Sequence, residues 1–434
     1  MLPKIIVIDD DPTGSQTVHS CLLLTRWDIA TLQMGLADGS PLLFILSNSR
    51  ALTADEAATL TREICRNLKE ALAGFPCPTL FVSRSDSTLR GHYPVETDVM
   101  ADELGPFDAH FLIPAFFEGG RFTVDGVHCL RTEGKAVPVH LTEFARDSVF
   151  AYHHSYLPDY VAEKTRGRIP AASVQRFTLA EVRQGCLQRL LALRDNACCV
   201  VDAENQGDLD SFGGELRQAV QQGKRFLFRS AASFLTALAR LPPQPVPASA
   251  MARYVRDGKP GVVLVGSYVR KTTAQLDALL GEPSIVPVEI DVQRLPQEHD
   301  TVLAQALAEA ARAHASGLTP AIFTSRQERS FPEKSERLRF GKEVSALLMD
   351  IVRSLPVTIG FLISKGGITA NDVLSDGLAL QASRLVGQIL PGVSVTVTPP
   401  DHPRFPRLPV VIFPGNVGDE NALLAVFRRL AGKL

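Results

Sequence analysis

Short apolar runs alternate along the chain with longer stretches in which apolar side chains recur every third or fourth position. That alternation predicts buried parallel strands layered with amphipathic helices. In the first half the runs place strands at 4–8, 42–46, 79–82, 109–113, 198–202 and 225–228. Ala57, Leu60, Ile64, Leu68 and Leu72 share one helical face, which predicts a helix over 54–73. The pattern breaks at the proline-dense stretch 241–247, a poor place for sheet or helix. It restarts with strands at 261–265, 285–290, 321–324, 358–363, 393–397 and 410–413, and a helix at 272–280. The expectation is an α/β protein of two layered domains with mainly parallel sheets: 1–240, a linker region 241–258, and 259–434.

Composition narrows the function classes. A chain of 434 residues exceeds what one core usually organises. With 45 basic and 47 acidic residues the net charge is −2, which gives nucleic acid and membrane surfaces no electrostatic hold. The opening apolar run, Ile5 to Ile8, is too short for a signal-peptide core or a spanning helix, so a cytoplasmic protein is expected. Seven cysteines without metal-ligand spacing read as small buried hydrophobes in a reducing compartment.

The candidate chemistry sits in polar, glycine-containing turns that end the strands. Asp9-Asp10-Asp11-Pro12-Thr13-Gly14 closes the first run, where open α/β sheets bind ligands. Carboxylates there can accept hydrogen bonds from a polyol, hold a divalent cation or take a proton from a hydroxyl. Ser85-Asp86-Ser87-Thr88-Leu89-Arg90-Gly91 and the loop from Pro114 to Arg121 follow two further strands. Their hydroxyls, Asp86, Arg90 and Arg121 suit a small hydroxy acid, an arginine clamping its carboxylate. His128 and the pair His153-His154 lack a carboxylate partner at helical spacing, and no protein-bound metal is expected.

The second half carries a different set. Gly266-Ser267 follows a strand and precedes a helix, Lys365-Gly366-Gly367-Ile368-Thr369 follows another, and Gly415-Asn416-Val417-Gly418 a third. Glycine lets backbone amides approach an anion, Lys365 could neutralise phosphates, and Thr369 with Asp372 fits a capping box. Neither the Walker spacing nor a Gly-x-Gly-x-x-Gly fingerprint occurs. Small hydroxy acid in one half and nucleotide in the other is the resulting expectation.

These motifs, in this order over nearly the whole chain, resemble the four-carbon acid sugar kinase family, whose members phosphorylate threonate, erythronate or 3-oxo-tetronate with ATP. The resemblance implies an N-terminal sugar-acid domain and a C-terminal nucleotide domain, with ATP and Mg²⁺ as cofactors. It places Asp10, Asp11, Thr13, Asp86, Ser87, Thr88, Arg90 and Gly91 on the substrate side. Gly266, Ser267, Gly366, Gly367, Thr369, Gly415 and Asn416 fall on the nucleotide side, with Lys365 and Gly418 beside them. Asp10 or Asp11 would orient or deprotonate the acceptor hydroxyl, and Arg90 or Arg121 would hold the carboxylate. Arg84 stands where the family commonly has lysine, and Asp9 and Pro12 where alanine and an aromatic are common, which marks a distinct branch. Two other readings stand beside it. Asp9-x-Asp11-x-Thr13 also matches the opening of haloacid-dehalogenase phosphatases, with Asp9 as nucleophile, and a nucleotide-regulated sugar-acid-binding protein without catalysis would carry the same motifs. A small-molecule substrate and a possible homo-oligomer complete the expectations.

Overall fold

The computed structural model describes residues 3–132, 134–267, 269–295, 297–326, 334–415 and 417–433. The chain divides into two compact units, Met1–Pro243 and Gln244–Leu434.

The strands of the first unit are β1 (Lys4–Asp9), β2 (Cys21–Leu24), β3 (Leu42–Leu46), β4 (Thr79–Arg84), β5 (Ala109–Ile113), β6 (Arg121–Val124), β7 (Val127–Thr132), β8 (Lys135–Pro138), β9 (Gln175–Phe177), β10 (Ala197–Val201) and β11 (Phe226–Ser230). A parallel sheet runs in the order β2-β3-β1-β4-β11-β5-β10-β9. β1, β3 and β5 are buried along their whole length, the reason these strands read as unbroken apolar runs. Helix Ala54–Ala71 begins at a capping box of Thr53 and Glu56, worth about 1 kcal/mol. It turns Ala57, Ile64, Cys65 and Leu68 inward. Phe111 is the centre of the aromatic core, with Phe177, Phe212, Phe226 and Phe228 rings 5.3–5.8 Å away. β11, late in the chain, inserts between β4 and β5, so Ser230 lies beside Arg84, and Asp9 lies beside Arg84 on the other flank. β6, β7 and β8 form a separate antiparallel sheet after β5.

The strands of the second unit are β12 (Val262–Val265), β13 (Ile285–Ile290), β14 (Thr319–Thr324), β15 (Leu362–Lys365), β16 (Ala382–Leu390), β17 (Val393–Val397) and β18 (Pro409–Phe413). Their order is β13-β14-β12-β15-β18-β17-β16, parallel as far as β18 and antiparallel beyond it. Val265, Lys365 and Phe413 are in register, so the turns that follow them emerge side by side. The prolines before Pro247 do not lead into a free tether. Gln244 donates to the Gln388 carbonyl at 3.0 Å and accepts from its amide at 2.8 Å, while Val246 and Met251 join the second core. β15 starts at Leu362, later than 358–363 suggested, and Gly360 before it packs against the carbonyl of Lys259, ahead of β12, where a Cβ would sit 2.0 Å from that oxygen.

Candidate functional site

At the C-terminal edge of the first sheet, Arg50 organises the three-aspartate turn. Its Nη2 meets Asp10 Oδ1 at 2.5 Å, its Nε meets Asp10 Oδ2 at 3.2 Å, and its Nη1 reaches Asp11 Oδ2 at 2.8 Å. Asp10 Oδ2 also accepts from Ser85 Oγ at 2.6 Å, which stitches the first turn to the one after β4. Asp11 caps the short helix Pro12–Ser15, accepting from the Thr13 amide at 2.8 Å and hydroxyl at 2.5 Å. Burial pushes the Asp11 carboxyl up, but Arg50 and the Thr13 hydrogen bonds outweigh it and hold the group below its ordinary value. The side chain of Asp11 is 20% exposed and that of Asp10 2%, so Asp11 is the more accessible of the two carboxylates.

Asp86 heads the second turn. Arg90 Nε donates to its Oδ2 at 2.7 Å and the Thr88 hydroxyl donates to the same oxygen. Burial raises its pKa, yet Arg90, Arg50 and Thr88 keep the carboxyl well below the usual carboxylate range. Leu89 adopts a left-handed backbone, φ 67°, and the hydroxyls of Tyr152 and Tyr160 secure the carbonyls on either side of that kink, at 2.7 Å to Thr88 and 2.8 Å to Leu89. Gly91, at φ 116°, is required by its surroundings. A Cβ there would lie 2.4 Å from Ser85 Oγ and 2.6 Å from Arg229 Nη2. Ser87 contributes its carbonyl, which faces His128 Nε2 at 2.7 Å.

Arg90 and Arg121 converge on one ring, their guanidinium carbons 5.1 and 5.9 Å from the centroid of Phe144. Arg121 donates to the Gly119 carbonyl at 2.6 Å, and its Nε has no hydrogen-bond partner among the described residues. Ser85, Asp86, Leu89, Arg90, Pro114, Tyr160 and Arg229 are among the residues that line a small cleft. Behind it, Arg229 bonds Ser83 Oγ at 2.7 Å, Ser85 Oγ at 2.5 Å and Glu96 Oε2 at 2.5 Å.

Arg84 stands apart from this group. Buried, it pairs with Asp9 at 3.5 Å, and its charge also helps hold the Asp11 carboxyl down. Asp9 itself is 0% exposed and lies beneath Gly14, where a Cβ would fall 2.0 Å from Asp9 Oδ2. Burial, with Asp10 and Asp11 nearby and Arg84 opposing, pushes its carboxyl up to about 8. A nucleophile needs an approach, and this one is sealed, so the geometry speaks against the phosphatase reading. Arg50, Glu96 and Arg229 were not singled out in the sequence, since each lies on an element without a motif of its own. His128 is neutral, burial bringing it down to about 4, and its Nδ1 faces Thr123 Oγ1 at 2.9 Å. Among the described residues, no group of three or more His, Cys, Asp or Glu side chains is arranged to hold a metal ion, and no helix is long and apolar enough to cross a membrane.

In the second unit the turns after β12, β15 and β18 meet at a glycine corner. A Cβ on Gly266 would lie 2.2 Å from Thr369 Oγ1, and one on Gly366, at φ 118°, 3.1 Å from the Ser267 Cβ. Helix Gly367–Asp372 therefore begins directly at the glycine, with Gly366 as its N-cap. Thr369 sits inside that helix, so the capping box with Asp372 does not form; Asp372 accepts from Ser345 instead. Lys365 also differs from expectation. It is 0% exposed, donates to the Pro414 carbonyl at 2.5 Å and lies 4.0 Å above the Phe413 ring. As the last residue of β15 it points into the interior, where burial, with Lys271 adding, lowers its pKa to about 7. Thr272 Oγ1 reaches the Gly415 carbonyl at 3.2 Å and Ser267 Oγ at 3.3 Å. Arg326 holds the Ser267 carbonyl at 2.6 Å. Gly418, at φ 81°, packs on Ala422, and Asn416 lies outside the described residues.

Two family models cover the two halves, a sugar-binding N-terminal domain over residues 5–238 and a nucleotide-binding C-terminal domain over residues 262–423. The chain belongs to the four-carbon acid sugar kinase family. The chain is 29% identical over 310 residues to D-erythronate kinase of Heliobacterium modesticaldum, a match covering 68% of this chain and 64% of that relative's length. Two solved structures share the fold at 19% identity. A putative tRNA synthase of Salmonella typhimurium LT2 aligns with a TM-score of 0.69 over 98% of both chains. A Haemophilus influenzae protein of the DUF1537 family aligns with a TM-score of 0.64 over 99% of this chain and 100% of its own.

Proposed function

We propose that the protein transfers the γ-phosphoryl group of ATP to a terminal hydroxyl of a four-carbon sugar acid of the erythronate, threonate or 3-oxo-tetronate type. The observation that carries the reading is the convergence of Arg90 and Arg121 on Phe144 beside an arginine-clamped carboxylate turn. Two guanidiniums suit one carboxylate, and the Asp11 and Asp86 oxygens suit the hydroxyls of a short polyol. The kinase relative and the nucleotide-binding domain support the donor.

In this reading Arg90 and Arg121 hold the substrate carboxylate. Asp11 aligns the acceptor hydroxyl. Its depressed pKa suits orientation better than full proton abstraction, and phosphoryl transfer through a loose transition state asks for little more. Asp10 acts behind it, keeping Arg50 and Ser85 in place. On the nucleotide side, Ser267 and the backbone at Gly366, Gly367 and Gly415 line the corner, where glycine lets backbone amides approach a phosphate closely. Mg²⁺, carried by the phosphates as is usual for this ion, would neutralise charge on the transferring group. No protein carboxylate is assigned to it.

The test is ADP release from ATP and Mg²⁺ over a panel of D- and L-erythronate, D- and L-threonate and their keto forms, with a control lacking ATP. Turnover with one acid is expected. Nucleotide and acid binding without turnover would instead support the binding-protein reading, and phosphate release without ATP would overturn the kinase.

A further inference from the structure

The loop after β18 presents its carbonyl groups to the interior. Lys365 Nζ donates to the Pro414 oxygen, Thr272 Oγ1 to the Gly415 oxygen, and Gln275 Nε2 to the Val417 and Asp419 oxygens at 3.0 and 2.7 Å. All three donors are fully buried. In a trans peptide the amide of one residue points opposite to the carbonyl of the residue before it. Drawing the Pro414 and Val417 carbonyls inward therefore turns the Gly415 and Gly418 amides outward. Both outward amides belong to glycines, so no side chain at those positions shields them.

We infer that Lys365, Thr272 and Gln275 are positioning residues for the nucleotide: they hold the loop so that its glycine amides face a phosphate group, without touching the ligand themselves. The inference rests on the nucleotide reading of this corner. It assigns Lys365 a role other than charge neutralisation. It also gives a purpose to Gln275, a buried amide on a helix face that apolar residues would otherwise fill, whose Oε1 has no hydrogen-bond partner among the described residues. Preorganised backbone dipoles need no reorientation when the anion arrives, and that is the source of their strength.

The experiment compares the full-length chain with Lys365→Met, Thr272→Val and Gln275→Glu, each close to its parent in size. ADP binding is followed by calorimetry, and steady-state turnover gives the KM for ATP and for the acid. The expected result is a rise of about tenfold in both the Kd for ADP and the KM for ATP for each variant. The KM for the acid should stay within about twofold, a split that general loosening of the fold would not produce. Lys365→Met should keep its Tm, because an apolar chain replaces a buried ammonium over Phe413, and it decides the matter if Gln275→Glu fails to fold. Unchanged ADP affinity in folded variants overturns the positioning role and leaves the nucleotide reading standing. Failure of the unmodified chain to bind ADP or ATP removes both.

Discussion

The two units hold their strand-end turns with different materials. In the first, the strand-end turns are held by side-chain charges that neutralise one another: Arg50 between Asp10 and Asp11, Arg90 on Asp86, and Arg229 on Glu96. In the second, the corresponding turns are held by glycines too close for a side chain and by buried donors on backbone carbonyls. A charge network of this kind selects a ligand by its functional groups. A backbone corner selects by curvature and by negative charge, which fits a common donor better than a particular sugar acid.

The contrast should break most visibly at Arg50. Arg50→Met leaves Asp10 and Asp11 close together without their cation, so we expect kcat/KM to fall by about a thousandfold and stability by about 3–5 kcal/mol. Steady-state ADP release and urea unfolding measure the two effects. A loss confined to the KM for ATP would contradict the division of labour.

A glycine in the other corner should fail differently. Gly266→Ala places a Cβ 2.2 Å from Thr369 Oγ1. The KM for ATP should rise about tenfold with the KM for the acid unchanged, and Thr369→Ala in the same chain should restore part of the loss.

The buried Asp9 sharpens the comparison through pH. An unfolded chain releases that proton near 3.8, while the folded chain keeps it up to about 8. The folded state thus binds more protons across this window, and stability falls as pH rises from about 4 to about 8, by at most about 1.4 kcal/mol per unit. Asp9→Asn should flatten this arm of the urea midpoint plotted against pH and leave ADP affinity unaltered. An unchanged slope would mean that Asp9 is charged in the fold.

The smallest effect belongs to the exposed histidines. His153 pairs with Glu163 at 3.0 Å with 83% of its side chain in solvent, and His153→Ala should change stability by less than about 0.5 kcal/mol. A larger effect on unfolding, or zinc-dependent activity lost with it, would reopen a metal role.

Much of the architecture was legible because buried strands announce themselves as apolar runs: 42–46, 109–113 and 393–397 match their strands end to end, and so does the half-buried 285–290. β6 to β8 went unseen, since polar residues interrupt the run whether they are exposed, as Arg131 is, or buried, as Thr123 and His128 are. β16 was missed for a related reason, its alternating burial and Gly387 giving no continuous stretch. The site divides in the same way. Turns rich in Asp, Ser, Arg and Gly could be read from their own composition. Arg50, Glu96 and Arg229 could not, because strand order brings them together and no local pattern records it. Lys365 was placed correctly at a strand end, but which way its side chain points depends on the pleat and on the Pro414 carbonyl.

The anchoring of the loop after β18 also bears on synthesis. Thr272 and Gln275 find their carbonyl partners 143 and 142 residues further along the chain, and β18 stands between β15 and β17 in the finished sheet. A nascent chain that has made everything up to Leu408 still lacks a central strand and the loop that strand carries. The second unit's sheet therefore cannot be completed until nearly all of its chain has been made, whereas every strand of the first unit's parallel sheet has been made once Ser230 is added.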